Sequence, residues 1–95
     1  MKISYSPEAI EDLIRLREFI ALKNPLAARR IANELLTGIE KLKIFPRMGI
    51  NVEKAPDPEV IRDLFVGQYT VRYFFTEKEI FVLRVWHDKE NEKDS

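Results

Sequence analysis

Ile61-Arg62-Asp63-Leu64-Phe65-Val66-Gly67-Gln68-Tyr69-Thr70-Val71-Arg72-Tyr73 is a pair of runs rich in β-branched and aromatic residues, separated by two residues, one of them glycine. Such a pattern reads as a β-hairpin, because glycine supplies the backbone freedom of a two-residue turn and the flanking residues suit a pleated surface. Counting back from Gly67-Gln68 puts Val66 opposite Tyr69, Asp63 opposite Arg72 and Arg62 opposite Tyr73. The plain reading of Arg72 is then a cross-strand ion pair with Asp63; the alternative is a ligand-binding cation. Alternation places Tyr69, Val71, Tyr73 and Phe75 on one face and Ile61, Phe65 and Phe74 on the other, so neither face is cleanly polar. One is expected against the core. The other needs a cover, either the upstream proline-containing loop or a segment of a partner.

Downstream, residues 80–86 form a third run beyond the connection 76–79, giving three consecutive antiparallel strands over 60–66, 69–75 and 80–86. Arg84 and His87 fall at opposite parity there, with Trp86 on the side of Arg84 unless a bulge intervenes.

Upstream, the period changes. Ile10, Leu13, Ile14, Leu16, Phe19 and Ile20 recur at spacings of three and four, after Ser6-Pro7-Glu8, a serine cap, a proline at the first helical position and an early acid. This predicts a helix ending near Lys23. Asn24-Pro25 repeats the start signal, and Ala28, Ile31, Leu35, Ile39 and Leu42 carry a second helix to about Phe45. A break this short implies an antiparallel helical hairpin. Residues 46–58 hold three prolines and one glycine and read as a loop, whereas residues 2–5 read as an opening strand. The expected architecture is α+β, β-α-α-β-β-β, an antiparallel sheet packed on a helical hairpin, with one domain over 1–87 and a polar tail over 88–95.

Composition narrows the function classes. Ninety-five residues with 45% hydrophobic content suit a single core. There is no cysteine and one histidine, so no disulfide, metal or other cofactor is expected. No signal-peptide pattern is visible at the start and no apolar run nears the roughly 18 residues of a membrane span, so the expected address is cytoplasmic, without a membrane partner. Formal net charge is zero, although Arg15, Arg17, Lys23, Arg29, Arg30, Lys41, Lys43 and Arg47 make the helical half basic. A protein without a net basic field lacks the usual support for strong non-specific binding to nucleic acid.

Four pieces in order, Asn24-Pro25-Leu26-Ala27-Ala28, Phe45-Pro46-Arg47-Met48-Gly49, the hairpin quoted above and Ile80 through His87, resemble toxins of the RelE/ParE superfamily over nearly the whole chain. The resemblance implies the toxin of a type II toxin–antitoxin pair, a device of growth arrest and plasmid stabilisation, neutralised by a cognate antitoxin protein. It allows a homodimer or a heterotetramer with that antitoxin. Surfaces expected to meet a partner are Arg15, Arg29 and Arg30 on the helices and Phe65, Phe74 and Trp86 on the sheet.

Two activities occur in the superfamily. RelE-like members cleave messenger RNA on the ribosome; ParE-like members inhibit DNA gyrase. Metal-free RNA cleavage needs a base, cations for the phosphorane and an acid for the leaving oxygen, for which this chain offers Arg62, Arg72, Arg84 and His87. RelE-like nucleases resemble one another in carrying arginine directly after the residue that opens the middle strand, and a tyrosine or histidine near the C-terminus. Here Thr70 holds the first position, and Asp88 rather than tyrosine follows His87. These departures favour the ParE-like reading, with no catalytic residue assigned.

Overall fold

The computed structural model describes residues 1–52 and 60–90. In chain order the elements are β1 (Lys2–Tyr5), α1 (Pro7–Lys23), α2 (Pro25–Lys41), β2 (Ile50–Asn51), β3 (Ile61–Val66), β4 (Tyr69–Phe75) and β5 (Glu79–His87). The two helices pack against each other and lie on one side of a five-stranded sheet of order β1-β5-β4-β3-β2.

Both helix starts follow from their caps. Ser6 Oγ accepts the Ala9 N–H at 2.9 Å and donates to the Leu83 carbonyl at 2.7 Å, so one hydroxyl caps α1 and fastens it to β5. Asn24 closes α1 through its N–H to the Ile20 carbonyl at 2.8 Å and opens α2 through its side chain on the Ala27 N–H at 3.1 Å. That dual role is why one residue suffices between the helices.

The β3–β4 hairpin has the expected register, with Asp63 opposite Arg72 and Arg62 opposite Tyr73. Gly67 has φ +58° and no other described residue has a positive φ, the pattern of a II′ turn with glycine first. Leu64, Val71, Tyr73, Ile80, Val82 and Val85 face the helices, where they meet Leu16, Leu35 and Ile39. Each such side chain contributes about 1.5–3 kcal/mol on burial.

Three details differ from the sequence reading. The sheet is mixed, because β1 joins β5 in parallel (Lys2↔Glu79 to Tyr5↔Val82). The second helix stops at Lys41, and turns carry the chain to Phe45. The loop contains a strand, β2, whose two residues pair with Arg62 and Asp63. The loop's beginning does not cover the open face. It is drawn to the core side, where Tyr73 Oη donates to the Pro46 carbonyl at 2.7 Å and accepts the Gly49 N–H at 2.9 Å. Gly49 is required by that approach, since a Cβ there would lie 2.8 Å from both the Asp63 carbonyl and the Tyr73 ring. The remainder of the expected loop, 53–59, and the end of the expected tail, 91–95, lie outside the described residues.

Candidate functional site

The four basic side chains considered for RNA cleavage come from three strands, and the sheet sends them in different directions. Arg62 and His87 share the helix-facing parity of Tyr73 and Tyr69, their partners in the ladder. Arg72 points to the opposite face. Arg84 would point to the same side as Val82 on a regular strand, but Leu83 is an extra residue on β5 between the Arg72↔Arg84 and Tyr73↔Val82 pairs. This bulge turns Arg84 out of the core and toward the strand's outer edge.

Each has a structural partner. Arg72 Nε and Nη2 donate to the two carboxylate oxygens of Asp63 at 2.9 and 3.0 Å, and the guanidinium lies 5.0 Å from the centroid of the Trp86 ring. The cross-strand pair expected from the turn is present, and it is buried: Arg72 is 6% exposed. Arg84 Nε and Nη2 donate to Asp12 on α1 at 2.8 and 3.0 Å. Arg62 Nη1 donates to the Gly49 carbonyl at 2.9 Å, which ties the loop to β3. His87 Nδ1 accepts the Lys89 N–H at 3.0 Å, leaving Nε2 to meet the Gln68 side-chain oxygen at 3.2 Å, while the ring stands edge-on to Tyr69 at 5.0 Å. Arg72 and Arg84 are cross-strand neighbours, but their guanidiniums are committed to different carboxylates, those of Asp63 and Asp12.

The tyrosines do not supply a base either. Burial raises the phenol pKa of Tyr73 and outweighs the lowering by the Gly49 N–H and the Arg62 charge, with Asp63 adding a lesser push upward. Burial also raises that of Tyr69, with a contribution from Glu90. A general base for a 2′-hydroxyl needs the opposite tuning.

Asp12 escaped the sequence reading and is the most consequential polar residue. It is 4% exposed on the buried stripe of α1, between Ala9 and Leu16. Burial pushes its pKa up, but hydrogen bonds from Arg84, the Val85 N–H and Arg15, together with the charge of Arg84, outweigh that and hold the carboxyl below its ordinary value. The signal was an acid at a core position of an otherwise apolar helical stripe, which demands a cationic or N–H partner.

The residues expected to meet a partner divide over three surfaces. Arg29 and Arg30 are exposed on α2, where Arg30 approaches Glu34 at 3.9 Å. Arg15 on α1 reaches Glu90 of the C-terminal turn. On the open sheet face Phe65 is 56% exposed, and Phe74 stacks on Phe81 with ring centroids 4.6 Å apart. Trp86 is only 6% exposed, with the equally buried Arg72 guanidinium against its ring, so it presents little surface to a partner. A further apolar surface was not anticipated: Ile10, Ile14, Phe19 and Leu22 project from α1 into solvent although the helix also buries its opposite side. A helix apolar on more than one side is one that expects a second layer.

Comparison with known proteins agrees with this architecture. In the solved chromosomal ParDE toxin–antitoxin system from P. aeruginosa, a chain superposes with a TM-score of 0.75 at 18% identity, covering 92% of this chain and 95% of that one. The curated protein Toxin RelE2 of Caulobacter vibrioides is 28% identical over 86 residues, 90% of this chain and 93% of its own length. The family model described as ParE toxin of type II toxin-antitoxin system, parDE, matches residues 3–92. With nearly its whole length matched, the chain belongs to the ParE toxin family of type II toxin–antitoxin systems.

Proposed function

We propose that this toxin arrests growth by binding DNA gyrase in the cytoplasm rather than by cutting RNA, and that its antitoxin partner, which a type II family implies, holds it in check. The supporting observation is the engagement of the basic side chains: Arg62 holds a loop, Arg72 and Arg84 are locked in carboxylate pairs, and His87 is bound at both ring nitrogens. A nuclease would have to dismantle these contacts before it could gather cations around a phosphorane. A binding poison needs none of them free, and it calls for no cofactor. Exposed apolar positions such as Phe65, and the unpartnered side of α1, supply contact area for partners. Arg29 and Arg30 add the basic rim that an acidic antitoxin would meet, and assembly as a heterotetramer with it suits a toxin with several such surfaces.

Purified toxin added to a gyrase supercoiling assay is expected to block supercoiling or trap cleaved DNA, and no effect at stoichiometric excess rejects the proposal. The name of the Caulobacter relative favours a second reading, a ribosome-dependent nuclease. Codon-positioned cleavage of translated messenger RNA, abolished by His87→Ala, would establish that reading in place of the first.

A further inference from the structure

The outer edge of β5 is covered by two different devices. From Glu79 to Val82 it pairs with β1, which ends at Tyr5. Beyond that point no strand among the described residues meets its outward N–H groups, and side-chain carboxylates take the strand's place. The Val85 N–H donates to Asp12 at 3.0 Å, and the His87 N–H donates to Glu90 at 2.9 Å. The two carboxylates differ in anchorage. Asp12 sits in mid-helix and is almost wholly buried, whereas Glu90 sits in the turn after β5 with part of its side chain in solvent. Glu90 also accepts from Arg15, so its carboxylate is held by one guanidinium and one strand-edge amide.

An open cavity of about 650 Å³ adjoins this carboxylate. Phe19, Ile20 and Tyr69 provide apolar walls, and Arg15, Lys23 and Lys89 line it with positive charge. Lys23 Nζ lies 5.0 Å from the Phe19 ring centroid, which brings its charge against the apolar wall. Glu90 is the one acid among the described lining residues. The cavity therefore combines an apolar interior, an excess of cations and a two-donor carboxylate seat already filled from within the chain.

We propose that this cavity docks an acidic segment of the antitoxin, with an apolar side chain between Phe19 and Tyr69 and a carboxylate taking the place of Glu90 on Arg15 and the His87 N–H. Charge complementarity selects the occupant: a segment carrying Asp or Glu beside a large apolar residue satisfies both the cations and the apolar walls, and a neutral or basic segment leaves the cations unmatched. Glu90 acts as an internal competitor. It keeps the strand edge satisfied while the toxin is alone and gives way to a carboxylate that brings apolar contacts with it. The inference rests on the family's antitoxin and is independent of the gyrase reading, since a failure here leaves the supercoiling result untouched.

The test is an amide-resolved NMR titration of the toxin with the peptide N-acetyl-Leu-Glu-Phe-Glu-amide, its glutamine-for-glutamate analogue serving as control. The acidic peptide is expected to move the His87 amide resonance and to bind about tenfold more weakly to Arg15→Gln, the loss of one charge-assisted contact. Glu90→Ala is expected to bind several-fold more tightly, because the competitor is gone. A purely structural role for Glu90 predicts no gain. The proposal is overturned by equal binding of the glutamine analogue, by unchanged affinity in both variants, or by a His87 amide that does not respond. It is likewise overturned if that amide moves with toxin concentration alone, which would make a second copy of the chain the occupant.

Discussion

Arg72 and Arg84 face each other across β4 and β5, and each makes a two-pronged contact with a carboxylate, yet they do different work. Arg72 reaches across to its hairpin neighbour Asp63, nine positions away, and leaves the open face closed by a guanidinium lying on Trp86. Arg84 reaches around the edge to Asp12, 72 positions away, and joins a helix to the sheet. The first pair stays within one hairpin, joining strands that a two-residue turn already sets side by side. The second holds two layers together and also satisfies a strand-edge amide, that of Val85. The lesson is that geometry at the charges says little about consequence; what else the carboxylate satisfies says more.

The largest effect is expected from Asp12→Ala, which strands the Arg84 guanidinium and orphans the Val85 N–H. A loss of about 3–5 kcal/mol of unfolding free energy, read from urea denaturation, is expected. The same carboxyl makes a pH signature. Its folded-state pKa lies below the ordinary value of 3.8, so its stabilisation is complete above about pH 4 to 5 and is lost as pH falls through the depressed value. Asp12→Asn should flatten that acid limb. Asp63→Ala should cost less, about 2 kcal/mol, because no backbone amide is orphaned with it. Equal losses from Asp12→Ala and Asp63→Ala would break the comparison. The smallest effect is expected from Arg15→Gln. Its side chain is 40% exposed and sits 3.4 Å from Asp12, a geometry worth under about 1 kcal/mol. A loss from Arg15→Gln matching that of Asp12→Ala would mean that Asp12, Arg15 and Arg84 act as one cooperative network.

The same contrast explains what could be read from the chain alone. The Arg72–Asp63 pair follows from counting outward from a two-residue turn, and the helix starts follow from Ser6-Pro7 and Asn24-Pro25, because all are local. The Arg84–Asp12 pair depends on a bulge at Leu83 and on which edge of β5 runs past the end of β1, neither of which has a local sequence mark. The strand Ile50–Asn51 went unread because two residues carry no periodicity. Of the candidate site residues, strand placement was legible for Arg62, Arg72, Arg84 and His87, while their commitment to structural partners was not. Glu90 offered no sign at all, since an acid in a polar C-terminal stretch looks like any other until Arg15 is folded beside it.

The parallel pairing of β1 with β5 sets an order of events in biosynthesis. Lys2 to Tyr5 leave the ribosome before both hairpins, and their partners, Glu79 to Val82, leave it after both. The helical hairpin and the β3–β4 hairpin can assemble from neighbours in the chain, but β1 must wait for β5, and contacts of such long sequence separation are slow to form. Ser6 waits too, because its hydroxyl bonds both the α1 start and the Leu83 carbonyl. A nascent chain halted before Glu79 therefore holds two hairpins and an unpaired β1, with β5, which stands between β1 and β4 in the sheet order, still missing.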